Sequence, residues 1–358
     1  MRWTLKVQPE SHTVKHLQEV LGIDQVIASL LAQRDITTFD QAKAFFRPSL
    51  DNLHDPFLMK DMECAVARIL KAIDESENIL VYGDYDVDGT TAVSLMSSYL
   101  KTKSANIATN IPDRYDEGYG VSYQGIDFAS DNDFSLIIAL DCGIKAIEKV
   151  AYASEKNIDF IICDHHKPGE KIPEAYAVLN PKREDCNYPF DELSGCGVGF
   201  KLIQALGTKF QEKTEDLLPY LDLVATSIAA DIVPITGENR VLAYYGLKVI
   251  NSNPRIGIKA FTNSLSKKEF TITDVVFIIA PRINAAGRIK HGNHAVQLLT
   301  ETDIDQAMAF ASEIETFNTE RRDLDKAITQ EALKQIEKNQ EQEGFTTVVY
   351  QEDWHKGV

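Results

Sequence analysis

Five short apolar runs separated by helical stretches constrain the fold of this 358-residue chain more than any other feature of its sequence. The runs lie at residues 79–83, 106–112, 136–141, 159–164 and 175–180. Amphipathic stretches, such as 91–101 and 145–156, lie between several of them. Continuous apolar strands that alternate with helices are typical of a parallel sheet covered on both faces. We therefore predict an α/β fold with a parallel β-sheet flanked by helices.

The regions around this core have helical patterns. The pattern of residues 13–46 predicts short helices, and Pro48 follows the last of them. Residues 61–76 predict an amphipathic helix, and residues 215–231 predict a largely helical segment.

Residues 293–343 contain no Gly and no Pro, and apolar side chains recur at helical spacing within them. This pattern predicts a long, acidic, solvent-exposed helix. Thr302 and Asp305 are spaced like its start, and a new strand is expected at 345–350.

The net charge of −17 by itself opposes binding to nucleic acid, because phosphates are repelled by an acidic surface. The charge is uneven, however. Residues 301–343 hold twelve acids and five bases, whereas residues 275–300 hold three Arg or Lys and no acid. An acidic pocket that is filled with divalent cations also no longer repels a phosphate.

The five cysteines include no Cys-x-x-Cys pair, which argues against a disulfide framework or a thiolate zinc site. The sequence has no apolar stretch long enough for a membrane helix and no secretory signal. We therefore expect a cytoplasmic protein that has no membrane association.

The segment GDYDVDGTT (83–91) directly follows the first apolar run and carries Asp84, Asp86 and Asp88. Carboxylates this close repel each other unless a positive charge holds them together. An EF-hand loop would need a Glu where Leu95 stands, and a solvated turn would not be flanked by core-like sequence. We therefore favour a metal site.

Other acids and histidines follow later runs: Asp141 ends one, the sequence Asp164-His165-His166 ends the next, and Asp231 ends a helical stretch. Taken singly, such an Asp is more often a helix cap, and adjacent histidines are more often surface residues. The carboxyl ends of parallel strands share one edge of a sheet, however, and ligands bind there. We therefore expect these side chains to converge.

Carboxylates with imidazoles suit Mn²⁺ or Mg²⁺. This many ligands suits two divalent cations ~3.5–4 Å apart, the arrangement used in phosphoester hydrolysis. Asp141 is our choice for the bridging ligand, and we expect Asp164 to orient an imidazole from behind the ligands.

The segments GDYDVDG, ALDCG, CDHH and SIAAD, in that order, resemble motifs I to IV of the DHH phosphoesterases. The segments at 111–122, 193–201 and 280–289 resemble the branch of that superfamily that degrades single-stranded DNA from its 5′ end. The resemblance covers essentially the whole chain.

The resemblance implies roles for individual residues. The metal ligands would be Asp84, Asp86, Asp88, Asp141, His165 and Asp231. The catalytic residues would be His166, beside the scissile phosphate, together with Asp141 and His165. The residues that contact substrate would be Arg282, Asn284, Arg288, Arg114 and Tyr119. Structural pairing with acids of the long helix is the alternative for Arg282 and Arg288, and a core position is the alternative for Tyr119.

The resemblance also implies the domain organisation. We expect a helical extension at 1–60, a DHH catalytic domain at 61–250, a helical segment with the RINAAGR motif at 251–300, a long linking helix at 301–343, and at 344–358 the truncated start of a DHHA1 α/β domain. Such a fragment is expected to bind metal but to cut long single strands poorly.

The expected function is a metal-dependent 5′→3′ exonuclease on single-stranded DNA in recombination and repair. The expected partners are that DNA and either a single-strand-binding protein or a helicase. The alternatives are a DHH phosphodiesterase acting on short oligonucleotides, cyclic dinucleotides or pyrophosphate, and a DHH binding module without catalysis.

Overall fold

The computed structural model describes residues 4–263, 265, 267–342 and 344–358. The expectations for residues 1–3 and 343, at the outer limits of two predicted segments, lie outside the described residues.

The centre of the fold is a five-stranded sheet in the order β2-β1-β3-β4-β5. The strands are β1 (Asn78–Gly83), β2 (Ile107–Asn110), β3 (Phe134–Leu140), β4 (Asp159–Cys163) and β5 (Ala177–Leu179). Every neighbouring pair is parallel. Each strand lies in or overlaps one of the predicted apolar runs, so the predicted fold class is confirmed.

Helices surround the sheet and continue beyond it. They are α1 (Ser11–Leu21), α2 (Gln25–Ala32), α3 (Phe39–Phe46), α4 (Met62–Asp74), α5 (Val87–Leu100), α6 (Tyr123–Asp131), α7 (Ile147–Glu155), α8 (Gly195–Lys209), α9 (Leu221–Ala230), α10 (Gly237–Ser252), α11 (Ile256–Thr262), α12 (Ile272–Asp274), α13 (Ala280–Ile289), α14 (Asn293–Thr300) and α15 (Ile304–Lys338). A π-helical turn, Val275–Ile279, joins α12 to α13. Among the described residues, no helix combines the length and apolar character needed to cross a membrane.

The sheet is buried on both faces because alternate residues of each strand point to opposite sides. In β1, Ile79 and Val81 belong to the larger apolar core, whose other members include α4, α5, α8 and α9. Leu80 and Tyr82 face the second core, which α6 and α7 cover. This two-sided cover explains why the strands appear in the sequence as continuous apolar runs.

The long C-terminal helix begins and packs differently from the prediction. Asp303, rather than Thr302, is the N-cap of α15, because its carboxylate accepts hydrogen bonds from the backbone N–H groups of Asp305 and Gln306 at 2.9 Å each. α14 is a separate helix. The first half of α15 is buried at Ala307, Ala311, Ile314 and Phe317, so only its second half matches the predicted solvent-exposed helix.

The prediction of a strand at 345–350 is wrong, because these residues have no regular secondary structure. They are mostly exposed, and none of the described strands pairs with them. A strand needs a neighbouring strand that forms hydrogen bonds along its length. The apolar residues of a segment do not by themselves provide such a neighbour.

A buried ion pair between α8 and α10 also holds the segment after α3. The Nζ of Lys201 lies 3.1 Å from Oε1 of Glu238, and both side chains are fully buried. Lys201 also donates to the backbone carbonyl of His54 at 2.6 Å, and the Tyr188 hydroxyl donates to Glu238 at 2.6 Å. Each charge is therefore paired and hydrogen-bonded, as burial requires.

We expect the Lys201→Met variant to lose about 3–5 kcal/mol of unfolding free energy in urea titrations, because it leaves Glu238 buried without its counter-charge. The double variant with Glu238→Gln should recover part of that loss. Lys71→Met is the matched control: Lys71 makes an exposed pair with Glu75 at 3.8 Å, which contributes less than about 1 kcal/mol. Equal losses for Lys201→Met and Lys71→Met would contradict the assignment.

Candidate metal centre

The candidate site lies at the carboxyl edge of the sheet, where the order of the strands reverses. The chain leaves β1 for β2 on one side and returns to β3 on the other, so the ends of β1 and β3 flank a crevice. Asp84 directly follows β1, Asp141 directly follows β3, and Asp164 directly follows β4. The predicted convergence of the strand ends is therefore present.

The first aspartates of the cluster are fixed by the turn into α5. Asp86 is the N-cap of that helix, and its carboxylate accepts from the backbone N–H of Gly89 at 3.0 Å. Oδ1 of Asp84 accepts from the N–H of Gly120 at 3.3 Å, whereas its buried Oδ2 has no hydrogen-bond partner. A Cβ on Gly89 would overlap the carbonyl oxygen of Asp84, so the tight turn requires glycine there.

Asp141 occupies an unusual backbone conformation. Its φ is 59°, which is uncommon for a residue other than glycine. Its N–H donates to the Cys163 carbonyl at 2.8 Å, so the strand pairing holds the residue in place. Its side chain is 2% exposed, and its Oδ1 has no hydrogen-bond partner. Such strain is typical of functional sites.

The two adjacent histidines face different partners. Nε2 of His165 lies 3.2 Å from Oδ1 of Asp141 and 3.5 Å from Oδ2 of Asp231, and neither ring nitrogen of His165 has a hydrogen bond. Nδ1 of His166 lies 2.8 Å from Oδ1 of Asp164. The Asp164 carboxylate also accepts from the backbone N–H groups of Ile144, His165 and His166. Asp164 therefore holds the ring of His166 in place, and its support of a metal ligand stays a prediction.

Burial without a counter-charge dominates the electrostatics of the cluster. Burial, followed by the charge of Asp86, raises the pKa of Asp84 to about 7. Burial and the charge of Asp88 likewise raise the pKa of Asp231 to about 7. Burial raises the pKa of Asp141 well above its usual range. Groups of this kind are more stable as charged ligands of a cation than as bare carboxylates.

The pKa values of the two imidazoles are shifted in opposite directions. Burial lowers the pKa of His165, which favours the neutral imidazole that a metal ligand must be. The hydrogen bond with Asp164 raises the pKa of His166, which favours a protonated ring. The two adjacent side chains are therefore suited to different tasks.

Two overlapping groups of side chains bring potential ligand atoms close enough together for divalent cations. Asp141, His165 and His166 form one group, and Asp88, His165 and Asp231 form the other, with all atoms of a group within 4.8 Å of one another. His165 belongs to both groups. The unpartnered oxygens of Asp84 and Asp141 and the unpartnered nitrogens of His165 are the observation that best supports this fit.

A cleft of about 320 Å³ leads from these acids to a basic surface, the arginine wall, which is formed by Asn284, Arg288 and Arg321. Its lining includes Asp86 and Asp231 on one side and Asn284, Arg288 and Arg321 on the other. The Nε atoms of Arg288 and Arg321 and Oδ1 of Asn284 are buried without hydrogen-bond partners. Arg288 donates through Nη1 to the Gly357 carbonyl at 3.0 Å. The sequence analysis missed Arg321, because it lies in a segment whose charge is mainly acidic.

Arg282 does not reach this cleft. Its guanidinium pairs with Glu315 of α15 and donates to the Ile278 carbonyl at 2.7 Å, which is the structural alternative that the sequence left open. Helix geometry explains the difference. Asn284 and Arg288 are four residues apart and share a face, whereas Arg282 lies two residues before Asn284, roughly 200° around the helix.

An aromatic group borders the other side of the centre. The Arg114 guanidinium lies 3.9 Å from the ring centroid of Tyr85, and its Nε donates to the Gly287 carbonyl at 3.1 Å. Tyr119 is 57% exposed, so it is not a core residue, and its hydroxyl lies 3.5 Å from Nε2 of His166. The sequence analysis missed Tyr85, which stands between two candidate ligands and carries no acidic or imidazole group.

Comparison with known proteins identifies the family. Residues 78–228 match the model of the DHH family, N-terminal domain. The single-stranded-DNA-specific exonuclease RecJ of Bacillus subtilis is 39% identical over 360 residues, covering 100% of this chain and 45% of that protein. A manganese-bound exonuclease RecJ structure is 30% identical, with a TM-score of 0.73, and covers 80% of this chain and 72% of that one.

The RecJ–Mn²⁺ complex from Thermus thermophilus has a TM-score of 0.85 and 26% identity, covering 100% of this chain and 51% of that one. The chain thus spans about half the length of these curated relatives. The chain belongs to the DHH family and, within it, to the group of the RecJ proteins.

We expect Mn²⁺ to raise the melting temperature of the metal-free protein, because a ligand that binds only the folded state adds about 2.7 kcal/mol at roughly 100 times its dissociation constant. Asp141→Asn should reduce this rise sharply, because it removes a ligand from the buried cluster. Asp131→Asn, an exposed change at the end of α6, should leave it intact. An equal Mn²⁺ response in all three proteins, measured by differential scanning fluorimetry, would rule out a cation site at Asp141.

Proposed function

We propose that this chain is the catalytic part of a metal-dependent exonuclease that hydrolyses phosphodiester bonds of single-stranded DNA from the 5′ end, in recombination and repair. The observation that carries the proposal is the buried cluster of unpaired carboxylates and imidazoles beside a cleft with an arginine wall. The names of the RecJ relatives support the choice of substrate.

In this proposal, Asp84, Asp86, Asp141, His165 and Asp231 hold two divalent cations, Mn²⁺ or Mg²⁺. When bound, such a pair activates a water molecule for attack and stabilises the attacking and leaving oxygens of the phosphodiester. Asp141 presents its unpartnered Oδ1 to the site, and His165 presents ring nitrogens that have no hydrogen-bond partner. Manganese- and magnesium-bound structures of relatives support the choice of metals.

His166 acts on the scissile phosphate. Its Nδ1 is fixed by Asp164, which leaves Nε2 directed toward the Tyr119 hydroxyl and the open side of the site. Because the hydrogen bond with Asp164 raises the pKa of His166, this ring is suited to carry positive charge where negative charge develops on the phosphate. The ring also holds a proton for the leaving oxygen.

Arg288, Arg321 and Asn284 bind the DNA backbone or its terminal 5′ phosphate on the wall opposite the acids. Guanidinium groups suit this task because their N–H donors pair with two phosphate oxygens at once. Arg114, supported by the Tyr85 ring, binds the strand from the other side. Exposed Tyr119 offers a ring face on which a base stacks. Arg282 is left out of this set because Glu315 neutralises it.

Two other functions fit the observations less well. A binding module that has lost catalysis would not need a set of Asp and His side chains gathered at one edge with open ligand atoms. A phosphodiesterase for short oligonucleotides or cyclic dinucleotides shares the same chemistry, so rates on different substrates must separate it from the exonuclease.

We place the protein in the cytoplasm, where single-stranded DNA intermediates arise, and propose a single-strand-binding protein or a helicase as the source of its substrate. All five cysteines are free, which fits a reducing compartment.

With Mn²⁺ present, we expect the protein to release mononucleotides from 5′-phosphorylated single-stranded DNA and to leave blunt duplex DNA intact. His166→Ala should lower kcat by about 10²–10⁴-fold without changing the number of bound Mn²⁺ ions, because it removes the proton donor but no essential ligand. Labels at the 5′ and 3′ ends report the polarity. Faster hydrolysis of dinucleotides than of 5′-phosphorylated single strands would favour the small-substrate alternative.

A second comparison tests the arginine wall. Arg288→Met should weaken binding to 5′-phosphorylated single strands by about 1.5–3 kcal/mol, the contribution of a hydrogen bond to a charged group. Arg282→Met removes the same charge from the same helix but from the face that pairs with Glu315, so its Kd should stay close to that of the unmodified protein. Fluorescence anisotropy with Ca²⁺ in place of Mn²⁺ measures both. Equal losses would mean that only the net charge of α13 matters.

A further inference from the structure

Asp88 differs from the other aspartates of the cluster in how its carboxylate is used. Its Oδ2 accepts from the backbone N–H of Gly195, and its Oδ1 accepts from the N–H of Cys196 and the hydroxyl of Ser227, all at 2.7 Å. Asp84 and Asp141, by contrast, each keep a buried oxygen with no partner. Oδ1 of Asp88 therefore has no lone pair left for a cation, and Oδ2, which accepts one hydrogen bond, keeps one.

The partners of Asp88 lie on the two helices that set the position of other candidate ligands. Gly195 is the first residue of α8, and a Cβ on it would lie 2.6 Å from the Cβ of Asp141. The start of α8 therefore presses directly against Asp141.

Ser227 lies on α9, one helical turn before Asp231. The hydroxyls of Ser227 and Ser194 are 2.6 Å apart, and Ser194 caps α8 by accepting from the N–H of Gly197 at 3.1 Å. The ends of α8 and α9 are thus joined to each other as well as to Asp88.

We propose that Asp88 is a positioning residue rather than a cation ligand: it joins the start of α8 to the last turn of α9 and thereby fixes Asp141 and Asp231. This inference rests on the proposed function and departs from the role that the family resemblance implies for Asp88. The negative carboxylate also lies at the N-terminus of α8, where the helix dipole favours it. Its closest approach to the cluster, 3.7 Å from Oδ2 to Nε2 of His165, comes through the oxygen that already binds Gly195.

Replacement by asparagine separates the two roles in the metal-free protein. An amide has one acceptor oxygen, so Asp88→Asn turns an NH₂ group toward a backbone N–H donor and should lower the melting temperature in EDTA. Asp84→Asn, the matched variant of a ligand with an unpartnered oxygen, removes a buried charge and should leave that temperature unchanged or raise it.

Binding of Mn²⁺ alone, measured by isothermal titration calorimetry and electron paramagnetic resonance, completes the test. Asp88→Asn should bind as many ions as the unmodified protein but about 10–100-fold more weakly, the usual effect of losing a residue behind the ligands. Asp84→Asn should lose an ion or change the Mn²⁺ spectrum. Ser227→Ala keeps the carboxylate and removes one of its three donors, so it should shift melting and affinity in the same direction as Asp88→Asn, by less.

Two results would overturn the inference. Loss of an ion from Asp88→Asn without a lower melting temperature in EDTA would make Asp88 a ligand. A lower melting temperature with unchanged Mn²⁺ affinity, in Asp88→Asn and Ser227→Ala alike, would make the contact purely structural. If the unmodified protein bound no Mn²⁺, the proposed function would fail, and the purely structural interpretation would replace the inference.

Discussion

The mutual repulsion of buried carboxylates at the edge between β1 and β3 is the constraint on which the rest of the site depends. Carboxylates removed from water need either hydrogen-bond donors or a cation. The protein supplies donors to Asp164 and Asp88, whose oxygens accept from backbone N–H groups and side chains. One buried oxygen of Asp84 and one of Asp141 have no hydrogen-bond donor. This division separates the residues that support the site from those that are open to a ligand.

Much of this arrangement could be predicted from the sequence, because it follows from topology. A parallel strand that ends at Asp84, Asp141 or Asp164 delivers that residue to the same edge whatever the details of packing. The five apolar runs were sufficient to predict the strands, since a sheet covered on both faces leaves no polar alternation. The pairing of Asp164 with an imidazole could be predicted because Asp164 and His166 are close in sequence and imidazoles commonly donate to such a carboxylate.

The remaining features depend on how helices pack against each other, which periodicity does not determine. The approach of α15 to α13 brings Arg321 to the cleft and gives Arg282 a partner in Glu315, although Arg282 and Arg288 looked alike in the sequence. The contacts of Asp88 with Gly195 and Ser227 span more than a hundred residues, so its spacing with Asp84 and Asp86 suggested a ligand instead.

The net charge of −17 becomes compatible with a polyanionic substrate once the charges are placed in space. Among the described residues, Arg288 and Arg321 line the cleft, whereas no acid of α15 does, and Glu315 pairs with Arg282 away from it. The opposite side of the cleft is acidic, so a phosphate is repelled there until cations occupy the cluster. In the proposed function, cation binding and substrate binding would therefore be coupled by electrostatics. In the proposed function, the same carboxylates that destabilise the bare site would make the approach of DNA depend on the metal.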